Sequence, residues 1–259
     1  MSQQTKPDLL NAAGMAFGFM SILPAPQRKE WSDTDFGYAA VFYPLVGAAI
    51  GCLAGLAYDL LERLTWFGTE GRALFALLVW VVLSGGLHLD GLADCMDGFL
   101  WSGDDKAKRL SIMKDPTHGT YAVLGLFFAL ALKWAAIANF PALYRPLWFA
   151  FIGAAARWAM LSLIRVPSVN PTGMAAMLQK HCPKNVLLLA IPVPLILLAV
   201  CGWLTLDWVR IILAVLLTAG VPWVWGRIAK KKLGGINGDV LGACIELTEL
   251  ALLIGVFLP

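Results

Sequence analysis

Apolar runs of about twenty residues, nearly free of charge, recur along the whole chain and limit its fold more than any other feature. A helix of that length crosses a hydrocarbon core of ~30 Å. In lipid only a helix or a closed barrel satisfies its own backbone hydrogen bonds. The composition agrees: 59% of the 259 residues are hydrophobic and 14% are charged, against about 25% charged in ordinary soluble domains. We therefore expect an all-α, polytopic membrane protein, with residues 1–259 forming one integral-membrane domain. Seven transmembrane helices are drawn at roughly 38–61, 71–89, 119–139, 145–164, 185–203, 208–227 and 240–258. Residues 8–23 are shorter, broken by Gly14 and Gly18, and closed by Pro24 and Pro26. They read as an N-terminal interfacial or re-entrant helix, and they lack the layout of a cleaved signal peptide.

The charges in the connecting segments give the orientation. Under this scheme Lys6, Arg28, Lys29, Lys106, Lys108, Arg109, Lys114, Arg165, Lys180, Lys184, Arg227, Lys230, Lys231 and Lys232 fall on one side. Only Arg63, Arg72, Arg145 and Arg210 fall on the other. The positive-inside bias puts the amino terminus and every polar, motif-like segment in the cytoplasm. The lipid bilayer is the expected standing partner, and no nucleic acid is expected. The five cysteines are scattered and odd in number, so neither a disulfide framework nor a zinc site is expected. Gly47, Gly51 and Gly55 recur at every fourth position, a spacing that lets two helices approach closely in lipid.

Against this apolar background, GGLHLDGLADCMDGF at residues 85–99 stands out. On a helix advancing about 100° per residue, Asp94 lies about 40° and Asp97 about −20° from Asp90, so three carboxylates share one stripe. Like charges so placed repel, and an isolated helix gains nothing from them. A hard divalent cation, Mg²⁺ or Mn²⁺, is the group that carboxylate oxygens at a membrane surface suit. Gly91 and Gly98 beside the stripe leave room for a ligand or another helix. His88 reads either as a metal ligand or proton shuttle, or as a hydrogen-bonded interfacial residue.

A second stripe follows in GGINGDVLGACIELTEL, where Asp239, Glu246 and Glu249 share a face. Ionisable groups inside an apolar run are costly and face a polar cavity or a partner. Lys133 and Arg157 are the intramembrane cations; they either neutralise Glu246 or Glu249 or snorkel from span edges. Lys231, Lys232 and the glycine-rich loop after them form a candidate phosphate cradle. The segment KAKRLSIMKDPTHGTYAVLG is basic and suits either anionic lipid headgroups or a substrate's phosphates. Two functions fit these residues. One is a metal-dependent transferase that breaks a pyrophosphate; the other is an ion-coupled transporter with intramembrane carboxylates. The acidic stripe at the end of a span, and the lack of a clear internal repeat, favour the enzyme.

The stretch GGLHLDGLADCMDGF resembles the signature of the cobalamin synthase family, the adenosylcobinamide-GDP ribazoletransferases. SILPAP, FYPLVGAAIG, IMKDPTHGTYAV and GGINGDVLGACIELTEL follow in the family's order, so the resemblance covers nearly the whole chain. Asn237 stands where a threonine is expected, and Cys95-Met96 replaces a smaller or hydroxylated pair. The resemblance implies that the phosphoryl-linked corrinoid of adenosylcobinamide-GDP is transferred to the ribose 3′-hydroxyl of α-ribazole or its 5′-phosphate. GMP leaves, and Mg²⁺ is the implied cofactor. It implies Asp90, Asp94 and Asp97 as metal ligands, one of them also the base, and Asp239, Glu246 and Glu249 as further ligands or as groups that orient them. His88 and His118 are implied in proton transfer. Arg109, Lys114, Asp115, His118, Arg157, Lys231, Lys232 and Asn237 form the implied substrate-binding set. A homo-oligomer, or a complex with other enzymes of the pathway, is compatible with it.

Overall fold

The structure, a computed structural model, describes residues 6–25, 32–64, 67–141 and 143–255. Pro26, Arg28 and Lys29, and the end of the last expected span at 256–258, lie outside the described residues. Twelve α-helices are seen among the described residues, and no strand. They are α1 Leu9–Met20, α2 Asp33–Glu62, α3 Thr69–Leu83, α4 Leu87–Leu100, α5 Lys106–Ile112 and α6 Thr120–Ala138. Then come α7 Arg145–Leu161, continued by a 3-10 turn Ser162–Arg165, α8 Met174–His181 and α9 Val186–Ala190. The last three are α10 Pro192–Thr205, α11 Trp208–Leu233 and α12 Gly238–Gly255.

The expected all-helical membrane architecture is present, but length and composition single out four spans: α2, α6, α7 with its 3-10 turn, and α11. A fifth is reached if α3 and α4 count as one bent span. Three of the seven drawn spans differ in a way the sequence explains. The run drawn at 71–89 stops at Leu83, because Gly85 and Gly86 take positive φ of 65° and 69° and turn α4 by 91° away from α3. Glycine alone accepts two such residues in succession without strain. The run drawn at 185–203 divides at Ile191 into the short α9 and the 14-residue α10, where Pro192 contributes no backbone donor. The run drawn at 240–258 is α12, 18 residues long, whose Asp239, Glu246 and Glu249 set it apart from an ordinary lipid-facing span.

Residues 8–23 form α1, which packs along α2 rather than lying free. Asp35 in the first turn of α2 fixes it: one carboxylate oxygen accepts from the Asp8 amide at 2.9 Å and the other from Asn11 Nδ2 at 2.9 Å. Ser32 and Asp35 also close a capping box at the start of α2. After α1, the Ile22 amide donates to the Leu83 carbonyl at 2.9 Å, tying this helix to the α3–α4 corner.

The glycine ridge does the packing its spacing implies. A Cβ on Gly47 would lie 2.1 Å from the Gly153 carbonyl oxygen, and one on Gly51 would lie 2.0 Å from that of Phe149. A Cβ on Gly55 would lie 2.5 Å from Pro146 Cα, so α2 and α7 touch backbone to backbone along their length. Close van der Waals contact of this kind holds helices together where lipid tails are as apolar as leucine. The outward faces of α6, α10 and α11 expose Phe127, Phe128, Ile196, Trp203, Ile212 and Leu216. These suit acyl chains, so this is a multi-pass membrane protein.

The connections sort to two ends. At one, Arg145 pairs with Asp59, Arg72 lies 3.3 Å from Glu62, and Trp134 Nε1 donates to the Glu70 carbonyl. At the other, the starts of α2, α6 and α12 gather beside α4, α5 and α8. There the His181 carbonyl sits on Gly37, the Gly119 amide reaches Asp97 at 2.6 Å, and Ile236 pairs with Pro167 and Val169. Most of the chain's lysines belong to the second end, which also holds the acidic stripe.

Candidate active site

The site is built where α4 crosses the start of α12. Gly91 makes the crossing close: a Cβ there would lie 2.8 Å from the Asp239 carbonyl oxygen and 3.0 Å from its Cα. Gly242, one turn along α12, faces His88 in the same way at 3.3 Å. Missing side chains on both helices thus bring the carboxylates of two sequence motifs to one place. Asp239, Asp90 and Asp97 act on Asp94 through space, as does His118 from the loop before α6. His118 Nε2 lies 4.0 Å from Asp90 Oδ1. Asp90 is exposed, and Asp94 and Asp239 are half-buried, so the set faces an accessible cleft.

Asp97 is held differently from its neighbours on the stripe. Its two oxygens accept the Gly119 amide at 2.6 Å and the Ala122 amide at 2.9 Å. It therefore caps the first turn of α6 from a distance, in the way an N-cap carboxylate satisfies free amides. Among the described residues, no three His, Cys, Asp or Glu side chains converge closely enough to enclose a metal ion. The donor chemistry nonetheless fits Mg²⁺. That ion keeps several waters and is held by one or two carboxylates plus substrate phosphates, not by an all-protein cage.

Glu246 and Glu249, expected as metal ligands, are instead consumed inside the bundle. Lys133 Nζ lies 2.5 Å from Glu246 and 2.6 Å from Glu249. Arg157 pairs with the other oxygen of Glu249, which also accepts Trp80 Nε1 at 3.2 Å. All four charged groups are buried, with Arg157 at 0% exposure and Glu249 at 1%. Two cations answer two carboxylates, so the charges balance within the bundle, while Arg157 Nε and Nη2 keep no hydrogen-bond partner. The intramembrane carboxylates that made a transporter conceivable are thereby neutralised within the protein.

Three more residues expected to bind substrate also make structural contacts. Arg109 is buried and clamps the end of α4, donating to the Gly98 carbonyl at 2.7 Å and Phe99 at 3.1 Å, and also to Gly103. Asn237 accepts the Val240 amide at 3.0 Å and donates to Asp239 at 2.7 Å, so it starts α12 and orients a site carboxylate. Asp115 is tied into its own turn by Thr117, whose amide and hydroxyl donate to it and hold its carboxyl below the usual range. Lys114, Lys231 and Lys232 keep accessible ammonium groups on this end. Lys106, not singled out from the sequence, joins them, since its ammonium approaches within 3.7 Å of where a Cβ on Gly234 would stand. Its signal was only general basicity, and its position depends on how α5 meets the end of α11.

The same end of the fold carries a cleft of about 240 Å³ that opens beside Asp90 and Asp239. Largely apolar side chains from α1, α2, α7 and α8 form its walls, among them Phe19, Met20 and Leu178, together with Tyr43 and its hydroxyl. None of these was legible as part of a site, because each reads as ordinary core.

A model of the family described as cobalamin-5-phosphate synthase matches residues 12–257. The chain belongs to that family. Curated relatives agree in length as well as in sequence. An adenosylcobinamide-GDP ribazoletransferase of Pseudomonas syringae pv. syringae (strain B728a) is 38% identical, covering 93% of this chain and 96% of its own. Proteins of the same description from Pseudomonas entomophila (strain L48) and Stutzerimonas stutzeri (strain A1501) are 36% and 35% identical. Each match covers 94% of this chain, and 97% and 96% of the relative respectively. No solved structure matches the chain. As a cobalamin-5-phosphate synthase family member it is a transferase of cobalamin synthesis, and its two acidic motifs meet at the α4–α12 crossing.

Proposed function

We propose that this protein assembles the nucleotide loop of cobalamin by joining adenosylcobinamide-GDP to α-ribazole or α-ribazole 5′-phosphate. The ribose 3′-hydroxyl attacks the phosphorus on the corrinoid side of the pyrophosphate. The bond to the bridging oxygen breaks, GMP leaves with that oxygen, and adenosylcobalamin or its 5′-phosphate remains. The observation that carries this reading is the meeting of Asp90 and Asp94 with Asp239 across the glycine-lined crossing.

Among Asp90, Asp94 and Asp239 stand the one or two carboxylates that would hold Mg²⁺. When bound, the ion supplies neutralisation of the charge on the pyrophosphate oxygens. Asp90, exposed and with His118 4.0 Å away, takes the proton of the attacking hydroxyl. Asp97 serves the chemistry at one remove, by fixing the start of α6 and with it the loop that carries His118. Lys114, Lys231, Lys232 and Lys106 receive the phosphates and the departing nucleotide as point charges. The positive-inside bias supports an orientation with this end on the cytoplasmic side of a bacterial inner membrane, where nucleotide substrates are found.

The test is GMP release by purified protein in nanodiscs given adenosylcobinamide-GDP and α-ribazole, with Mg²⁺ and then with EDTA. Metal-dependent GMP with a cobalamin product is the expected result. Absence of GMP from protein shown to be folded would overturn the reading.

A further inference from the structure

The cleft beside the carboxylates has walls that the transfer chemistry does not use. We propose that it seats the heterocyclic base of the acceptor nucleoside, with His88 as the polar contact to that base; this rests on the transferase reading above.

Size and chemistry select the occupant. At about 240 Å³ the cleft is smaller than the ~300–1,000 Å³ that takes a drug-sized ligand, so a corrinoid macrocycle does not enter it. Its interior is lined by Met20, Tyr43, Met160, Leu178 and Ile245. A guanine, with donors and acceptors on three edges, would lose most of its hydrogen bonds to water there, at a cost of about 1–3 kcal/mol for each unsatisfied group. A methylated benzimidazole carries little polarity. Once its first nitrogen bears the sugar, one ring nitrogen remains as an acceptor, and the rest of the bicycle is apolar.

His88 supplies the matching group. It is 2% exposed, it lines the cleft, and its Nδ1 has no hydrogen-bond partner in the protein. Buried polar atoms without partners are uncommon and call for a ligand or a functional reason. The other ring nitrogen, Nε2, faces only the Met20 sulfur at 3.4 Å, and a thioether is a weak acceptor. A tautomer with its proton on Nδ1 gives up little at Met20 and gains a ring-nitrogen acceptor. Gly242 and Gly91, which bring α12 onto α4, also hold this imidazole and the mouth carboxylates in one frame. With the base inside, the sugar emerges at Asp90 and Asp239, which line the mouth. Three methionines, Met20, Met160 and Met174, adapt their shape more readily than branched residues and suit a flat ring.

The experiment follows the intrinsic fluorescence of α-ribazole on titration with the protein in nanodiscs, without Mg²⁺ and without adenosylcobinamide-GDP. Wild type is expected to bind. His88→Phe, which keeps the ring shape and loses Nδ1, is expected to weaken binding at least tenfold. His88→Asn, whose amide replaces Nδ1, is expected to recover most of it. Met174→Trp, a half-buried rim position that does not depend on His88 folding correctly, is expected to block entry. In turnover the His88 variants raise KM for α-ribazole and leave KM for adenosylcobinamide-GDP within twofold. Unchanged affinity in both His88→Phe and Met174→Trp overturns the assignment. So does a wild-type protein that fails to bind α-ribazole, or a loaded structure with a lipid acyl chain in the cleft. Wild type that binds α-ribazole but releases no GMP overturns the transferase and keeps the cleft; normal turnover with both variants indifferent does the reverse.

Discussion

Gly91 on α4 rests against the backbone of Asp239 on α12, so closely that a methyl group there would stand 2.8 Å from a carbonyl oxygen that cannot move alone. Gly91→Ala therefore separates two helices and the carboxylates they carry. We expect GMP release to fall at least tenfold, because positioning errors on the ångström scale are expensive in catalysis. The protein should still elute as a folded species. Full activity in Gly91→Ala would show that the α4–α12 spacing does not matter.

Asp94→Asn removes a charge while keeping size and hydrogen-bonding capacity. Turnover should drop by two orders of magnitude or more, with thermal stability in detergent unchanged or higher, since three neighbouring carboxylates lose a repelling partner. A variant with wild-type turnover would remove Asp94 from the active set.

Asp97 should part company with Asp94 under substitution. Asp97→Ala leaves the Gly119 and Ala122 amides without their acceptor, a loss of about 0.5–2 kcal/mol by analogy with helix caps. Asp97→Asn retains an acceptor oxygen and should restore most of that stability. Melting temperatures of the two variants, read beside GMP release, separate capping from metal binding. Equal stability of all three proteins would argue against the cap.

The buried network predicts a compensation. Lys133→Met leaves Glu246 and Glu249 sharing only Arg157, and removing one partner of a buried ion pair costs about 3–5 kcal/mol. Adding Glu246→Gln to that variant should recover part of the loss, because one carboxylate then remains for one guanidinium. Chemical or thermal unfolding in detergent measures both. Additive losses in the double variant would mean that Lys133 and Glu246 do not interact.

Arg109 distinguishes a clamp from a phosphate contact. Arg109→Lys keeps the charge but not the planar fork that reaches Gly98, Phe99 and Gly103. Stability should fall while KM for adenosylcobinamide-GDP holds within twofold. A tenfold rise in that KM with unchanged stability would return Arg109 to the substrate.

Much of this protein could be read from local pattern. Apolar run length marks α2, α6, α7 and α11, because spanning lipid is a property of consecutive residues. The glycines of α2 announced a close helix contact, and a spacing of four is enough to say so. The acidic stripe of α4 was visible for the same reason, since its period is that of the helix that carries it.

The tertiary structure decided what no single helix contains. Asp239 and Glu246 share a face of α12, yet one reaches the α4 carboxylates and the other meets Lys133, because α12 runs from the polar end into the bundle. Arg109 and Lys114 are five residues apart in one basic segment, yet one is buried on carbonyl oxygens and the other is exposed. Gly85 and Gly86 turned an uninterrupted apolar pattern into a corner, since hydropathy does not register the sign of φ. The cleft wall, drawn from six helices, has no sequence signature at all. A methionine or leucine is chosen for volume and oiliness wherever it packs, and only the assembled neighbours determine whether it borders a core or a cavity.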